Sequence, residues 1–199
     1  MSFEKNKYLI LKNAVSKDIA SLAFNYLRIK KQVLQSLKDR RVISPFNYLF
    51  GTLGDHQIPV PETYCCYADI LMETLLLKLH PIMCEKTNLK LVPTYSYTRL
   101  YSYGSTLEKH KDRESCEIST TLNLGGDNWP IYLKPENKKE LKVDLKPGDM
   151  LIYSGCELEH WRDRFTGDEC GQVFLHYNRE GKNSNLFDGR IHIGYPGKE

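Results

Sequence analysis

A histidine and an aspartate stand one residue apart in His110-Lys111-Asp112, and a further histidine, His160, follows the aspartate by 48 positions. Side chains alternate across an extended segment, so His110 and Asp112 there point to one side and bring an imidazole nitrogen and a carboxylate oxygen toward one point. A second imidazole from a later strand completes a three-ligand face. That is the 2-His-1-carboxylate arrangement, which suits Fe(II) and leaves the remaining coordination positions open for chemistry. The triplet by itself fits better into the solvated charged run Glu108 to Glu114. The elements around it decide between the two.

Those elements are short strands. Pro93 to Tyr101 is β-branched and aromatic with strict alternation, which sets Tyr95, Tyr97, Arg99 and Tyr101 on one face, suited to the wall of a polar cavity. Ile118 to Leu124 alternates again, with Ser119, Thr121 and Asn123 on a face of small polar groups that leaves room for a ligand. Trp129 to Leu133 reads as a further strand. Leu141 to Leu145 and Met150 to Tyr153 read as two strands about a tight turn at Pro147-Gly148-Asp149. After His160 a loop over 161–171 leads to a last strand, Gln172 to Tyr177, with Gln172, Phe174 and His176 on one side.

The first half is helical in pattern. Tyr8 to Leu11 is a short opening strand. Ser16 is placed to cap a helix over 16–38 with a stripe of Ile19, Leu22, Ala23, Tyr26, Ile29, Val33 and Leu37. Residues 40–60, broken by Pro45, Gly51, Gly54, Pro59 and Pro61, form a connector or a substrate-binding loop. A second helix is expected from Pro61, with Tyr64, Tyr67, Ala68, Leu71, Leu75 and Leu79 on its apolar face. Pro81 is expected to end or kink it after His80, with a short continuation to Lys86. Helices first and strands after predict an α+β fold: a double-stranded β-helix, the jelly-roll or cupin-like core, with N-terminal helices packed on one sheet. Residues 1–89 form the helical support of the same unit, 90–179 the core, and 180–199 a tail.

Composition bounds the function. The 199 residues are 41% apolar and 27% charged, ordinary for a soluble globule. A net charge of +3 is too small to argue for nucleic acid. No apolar stretch approaches a membrane span, and the first residues do not lead into a secretory segment, so the reading is cytoplasmic. None of the six cysteines, at 65, 66, 84, 116, 156 and 170, forms a C-x-x-C pair.

Arg99-Leu100-Tyr101-Ser102-Tyr103-Gly104, His110-Lys111-Asp112, Pro147-Gly148-Asp149 and His160 before a final strand together resemble the Fe(II)/2-oxoglutarate-dependent dioxygenases, within them the prolyl 4-hydroxylase-like branch. The resemblance covers about 90–179. It implies that His110, Asp112 and His160 hold Fe(II), with 2-oxoglutarate and O2 as cosubstrates. It also implies release of succinate and CO2 as a peptidyl, prolyl-like residue or a small molecule is hydroxylated. Tyr101 and Thr121 match positions that contact 2-oxoglutarate in relatives. One departure stands out: the last strand carries Gln172 where relatives place a cation for the distal carboxylate of 2-oxoglutarate. Arg162, Arg164 or Arg99 would have to supply that charge. His176, Tyr97 and Trp161 are expected beside the metal or against substrate. The alternative is a non-catalytic, cupin-like module that binds metal or a small acid and uses a protein partner.

Overall fold

Alternation gives nearly every strand of this chain two different faces, and the fold follows from burying both. The computed structural model describes residues 2–58, 60–136, 139–182 and 187–195. A short helix α1 (Phe3–Asn6) leads into β1 (Tyr8–Leu11), α2 (Lys17–Asp39), β2 (Thr52–Leu53), β3 (Tyr64–Tyr67) and α3 (Ile70–Thr87). Then come β4 (Leu91–Ser102), β5 (Leu107–His110), β6 (Ile118–Gly126), β7 (Ile131–Lys134), β8 (Leu141–Val143), β9 (Met150–Ser154), β10 (Glu159–Arg162) and β11 (Glu169–Arg179). A seven-stranded sheet is ordered β1-β9-β6-β11-β4-β3-β2, and a four-stranded sheet β5-β10-β7-β8. All the paired strands run antiparallel.

The odd and even positions of the large sheet part company. Ile118, Leu122 and Leu124 of β6, Met150 and Ile152 of β9, and Val173, Leu175 and Tyr177 of β11 join the helices in the main core. The intervening residues face the small sheet. There Leu151 and Tyr153 pack on Ile131, Leu133 and Val143, while Tyr101, Cys170 and Phe174 pack on Leu107, Trp129 and Phe165. This is the jelly roll expected, with helices on one face of the larger sheet.

Ser16 caps α2, its Oγ accepting from Ile19 N at 3.3 Å. The helix buries Ala20, Ala23, Leu27 and Leu34, a stripe at spacings of three, four and seven. The stripe is narrower than the sequence suggested, for Leu22, Ile29 and Val33 are exposed.

Two expectations need correction, and the alternatives left open at Pro81 resolve. Tyr64–Tyr67 is strand β3, paired with β4, not the first turn of a helix. The tyrosines fall at helical spacing, but the aromatic and cysteine side chains suit a sheet, and α3 begins only after Asp69, whose Oδ1 accepts from Leu71 N and Met72 N. The same helix runs on through Pro81 to Thr87. Burial of Leu79 and Met83 on either side outweighs the lost backbone bond. Finally, β8 and β9 are not a hairpin. The turn at Pro147-Gly148-Asp149 carries the chain from the small sheet to the large one, and Asp149 binds Lys12 Nζ and Asn13 N beside β1. No described helix is long and apolar enough to cross a membrane.

Candidate active site

Antiparallel pairing of β5 with β10 sets His110 directly opposite His160. Side chains opposed in this way lie side by side, and the two ring centroids are 4.2 Å apart. His110 Nδ1 lies 2.7 Å from Glu108 O, and His160 Nδ1 lies 3.0 Å from Leu158 O. A carbonyl only accepts, so each Nδ1 carries the proton and each Nε2 keeps its lone pair, that of His160 with the Tyr153 hydroxyl 3.4 Å away. Both Nε2 atoms face Asp112 Oδ1, at 3.6 Å and 3.4 Å. The ligand atoms of His110, Asp112 and His160 all lie within 4.8 Å of one another, a set able to hold a metal ion. His160 is buried, whereas His110 is part-exposed and leaves the site open on its side.

Asp112 is fixed from the large sheet. Its amide donates to Gly155 O at 2.9 Å, and Ser119 Oγ donates to its Oδ2 at 2.6 Å. One oxygen is thereby occupied and the other left toward the imidazoles. Burial pushes this carboxyl up, but the imidazolium form of His160, by hydrogen bond and charge, with the charge of His176 and the bond from Ser119, holds it down at about 2. Burial, with His160 beside it, lowers His110 below its ordinary value, so the ring is neutral at pH 7 as a metal ligand must be.

Behind the triad, His176 Nδ1 lies 3.0 Å from Ser119 Oγ, and its ring packs on Tyr95 at 4.6 Å. Cys116 closes this layer, 2.9 Å from the Tyr95 hydroxyl. Asp112, Cys116 and His176 form a second set with metal-ligating atoms, but burial pushes the Cys116 thiol up to about 12 and keeps it protonated.

Two residues beyond His160 on the same face of β10 lies Arg162, 1% exposed. Its Nη1 donates to Trp129 O and its Nη2 to Thr121 Oγ1 at 3.3 Å, while Nε has no partner. Among the described residues no carboxylate pairs with it. Its electrostatic neighbours are Cys170, Tyr101 and Tyr153, and burial lowers its pKa. A buried guanidinium without a counter-charge is costly. Thr121 in turn donates to Gln172 Oε1 at 2.9 Å, and Gln172 Nε2 donates to Cys170 Sγ. Gln172 thus orients Thr121, and Thr121 orients Arg162.

Arg99 is buried too, but it is spent on Asp55, 2.5 Å away, and contacts the Tyr101 hydroxyl at 3.3 Å. Tyr97 donates to the same Asp55. Tyr101 is fully buried, edge-on to Trp129. Arg164 lies over the exposed ring of Tyr103, away from the chamber. Trp161 alternates to the other face of β10, stacked on Tyr132 beneath Lys109, so the structure does not bring it to the triad. Sequence reasoning missed Gly155 and Asp55. A glycine directly after a strand that runs past the ligands was the available signal for the first, and the second had none.

No protein-family model matches the chain, and a search of curated proteins found no match. Solved structures do match. A Pseudomonas putida prolyl-4-hydroxylase superposes with a TM-score of 0.65 at 14% identity, over 90% of this chain and 96% of that one. A prolyl hydroxylase from Trichoplax adhaerens, in complex with a hypoxia inducible factor peptide fragment, gives 0.61 at 13%, over 89% and 86%. HygX from Streptomyces hygroscopicus, with nickel and 2-oxoglutarate bound, gives 0.57 at 13%, over 99% and 94%. The chain therefore has the fold of the 2-oxoglutarate- and Fe(II)-dependent oxygenases.

Proposed function

We propose that this protein is an Fe(II)- and 2-oxoglutarate-dependent oxygenase, of the prolyl 4-hydroxylase-like kind, that hydroxylates a peptidyl or small-molecule substrate. The observation that carries the reading is Arg162. A buried, unpaired guanidinium shares a strand face with a metal-ligating histidine, at a strand spacing of roughly 6.6 Å. A dicarboxylic oxo acid has a chelating end and a distal carboxylate, and these two groups match its ends. His110, Asp112 and His160 would hold the metal, and Arg162 the distal carboxylate in place of the cation missing from β11. Tyr101 and Thr121 line the space between. When bound, iron and 2-oxoglutarate would supply the electrons that activate O2, with release of succinate and CO2.

The chain's own contribution is positioning. The carbonyls of Glu108 and Leu158 set the histidine tautomers. Ser119 leaves Asp112 a single oxygen for the metal. Tyr153, Trp129 and Phe165 keep water from the inner wall. The binding-only alternative drew on the missing cation, and a cation at Arg162 speaks against it. In air with added Fe(II) and 2-oxoglutarate, the protein should release succinate. Asp112→Ala should abolish the release, and Arg162→Gln should raise the 2-oxoglutarate requirement at least about 30-fold. Succinate release that survives Asp112→Ala would overturn the proposal.

A further inference from the structure

Arg99 lies on the inward face of β4, opposite Gln172 of β11, and is 4% exposed. Two side chains close on one carboxylate there. Arg99 Nη2 and Nε donate to Asp55 Oδ2 at 2.5 Å and 3.0 Å, and the Tyr97 hydroxyl donates to the same oxygen at 2.7 Å. Gln57 Oε1 takes a further Arg99 proton at 2.7 Å. The Tyr97 ring lies 4.9 Å from the guanidinium. Burial pushes the Asp55 carboxyl up, yet Arg99 and Tyr97 outweigh it and hold it below its ordinary value.

The donors and the acceptor belong to different kinds of structure. Arg99, Tyr97 and Tyr101 sit on a sheet strand. Asp55 comes from the irregular segment between β2 and β3, where its Oδ1 accepts from Gln57 N and Ile58 N of its own turn. Ile58 of that segment is fully buried against the cluster of Tyr101, Trp129 and Phe174. The segment thus packs beside Tyr101, and both Arg99 and Arg162 act on the Tyr101 phenol.

We propose that Arg99 with Tyr97 is a second carboxylate site, separate from that at Arg162, held by Asp55 in the free protein and taken by the carboxylate of a small acidic substrate. The inference rests on the oxygenase reading for the word substrate and deepens it. Withdrawal of Asp55 alone would leave a buried guanidinium uncompensated, so the segment stays closed until another carboxylate replaces it. Opening is then linked to the binding of an acid. A small acid fits better than a long chain, because the guanidinium it must reach is 4% exposed behind Asp55.

The test uses metal-free protein and sodium acetate as the probe. Asp55→Ala should melt below wild type, and acetate at tenfold its dissociation constant should raise its midpoint by about 3–5 °C. Sodium chloride and acetamide at equal concentration should not. Asp55→Ala/Arg162→Gln must keep the response and Asp55→Ala/Arg99→Gln must lose it. A response no larger than that of wild type, or one that survives Arg99→Gln, overturns the proposal. Should Asp55→Ala fail to fold, Asp55→Asn keeps the shape. Its Gln57 and Ile58 amides should exchange at least tenfold faster with the strands of the large sheet unchanged, and unchanged exchange at those two amides overturns the proposal. Neither assay needs iron or 2-oxoglutarate, so a failed receptor with intact succinate release leaves the oxygenase reading standing, and the reverse holds as well.

Discussion

At the scale of single residues, an alanine at Gly155 would press its Cβ against Asp112 Oδ2 and Cys116 O and within 2.6 Å of Ser119 Oγ. The backbone there is not left-handed, so close approach alone excludes a side chain. Gly155→Ala should therefore displace the carboxylate and weaken metal binding by about 10–100-fold, as loss of a ligand's support does, readable by calorimetric titration of the metal. Arg162 makes the opposite trade. Arg162→Met removes a buried, unpaired charge, so the empty protein should gain roughly 1–4 kcal/mol in urea denaturation while its affinity for 2-oxoglutarate collapses. Equal or lower stability would show that the guanidinium has a counter-charge. His176 carries a pH signature: burial lowers it from 6.5 to about 4. The unfolded chain binds that proton first, so stability should fall as pH drops from about 6.5 to 4, by about 3 kcal/mol. His176→Phe should flatten that window. Asp112 acts lower, its contribution being lost as pH falls from 3.8 toward about 2.

At the scale of elements, α2 supports the back of the sheet whose other face holds Ser119 and His176. Leu27→Ala should cost about 2–5 kcal/mol of stability and leave metal affinity within twofold, since Leu27 packs in the helix-side core and not in the chamber. The sequence announced α2 clearly because Ser16, Asp18 and a 3.6-residue stripe all agree on it. It announced β4 and β6 equally well, since their alternation separates Arg99 and Thr121 from Leu100 and Leu122 without ambiguity. β3 was hidden because Tyr64, Tyr67 and Leu71 satisfy a helical period by coincidence. The crossing from β8 to β9 was hidden because a tight turn reads alike whether the strands around it share a sheet or not. The irregular register between β10 and β5, which sets Arg162 opposite Leu107, has no sequence mark at all.

At the scale of the molecule, the triad straddles the sandwich. His110 and His160 come from the small sheet, while Asp112 is held by Ser119 of β6 and Gly155 after β9 in the large one. The three residues were legible from order and spacing. Their second supports were not, because Ser119, Gly155 and His176 meet Asp112 only after the two sheets close. The same limit hid the buried pair of Glu73 with Arg190, which ties the tail to α3 and β4 across 117 positions. A site shared between two sheets makes one direct demand, that both faces act together on a single chelate. The measurement is the visible charge-transfer band of the protein mixed anaerobically with Fe(II) and 2-oxoglutarate. Wild type should show the band, His110→Ala and His160→Ala should lack it, and Arg162→Gln should need far more 2-oxoglutarate to reach it. A band of equal strength in His110→Ala, or no band in wild type that binds iron, would contradict the account.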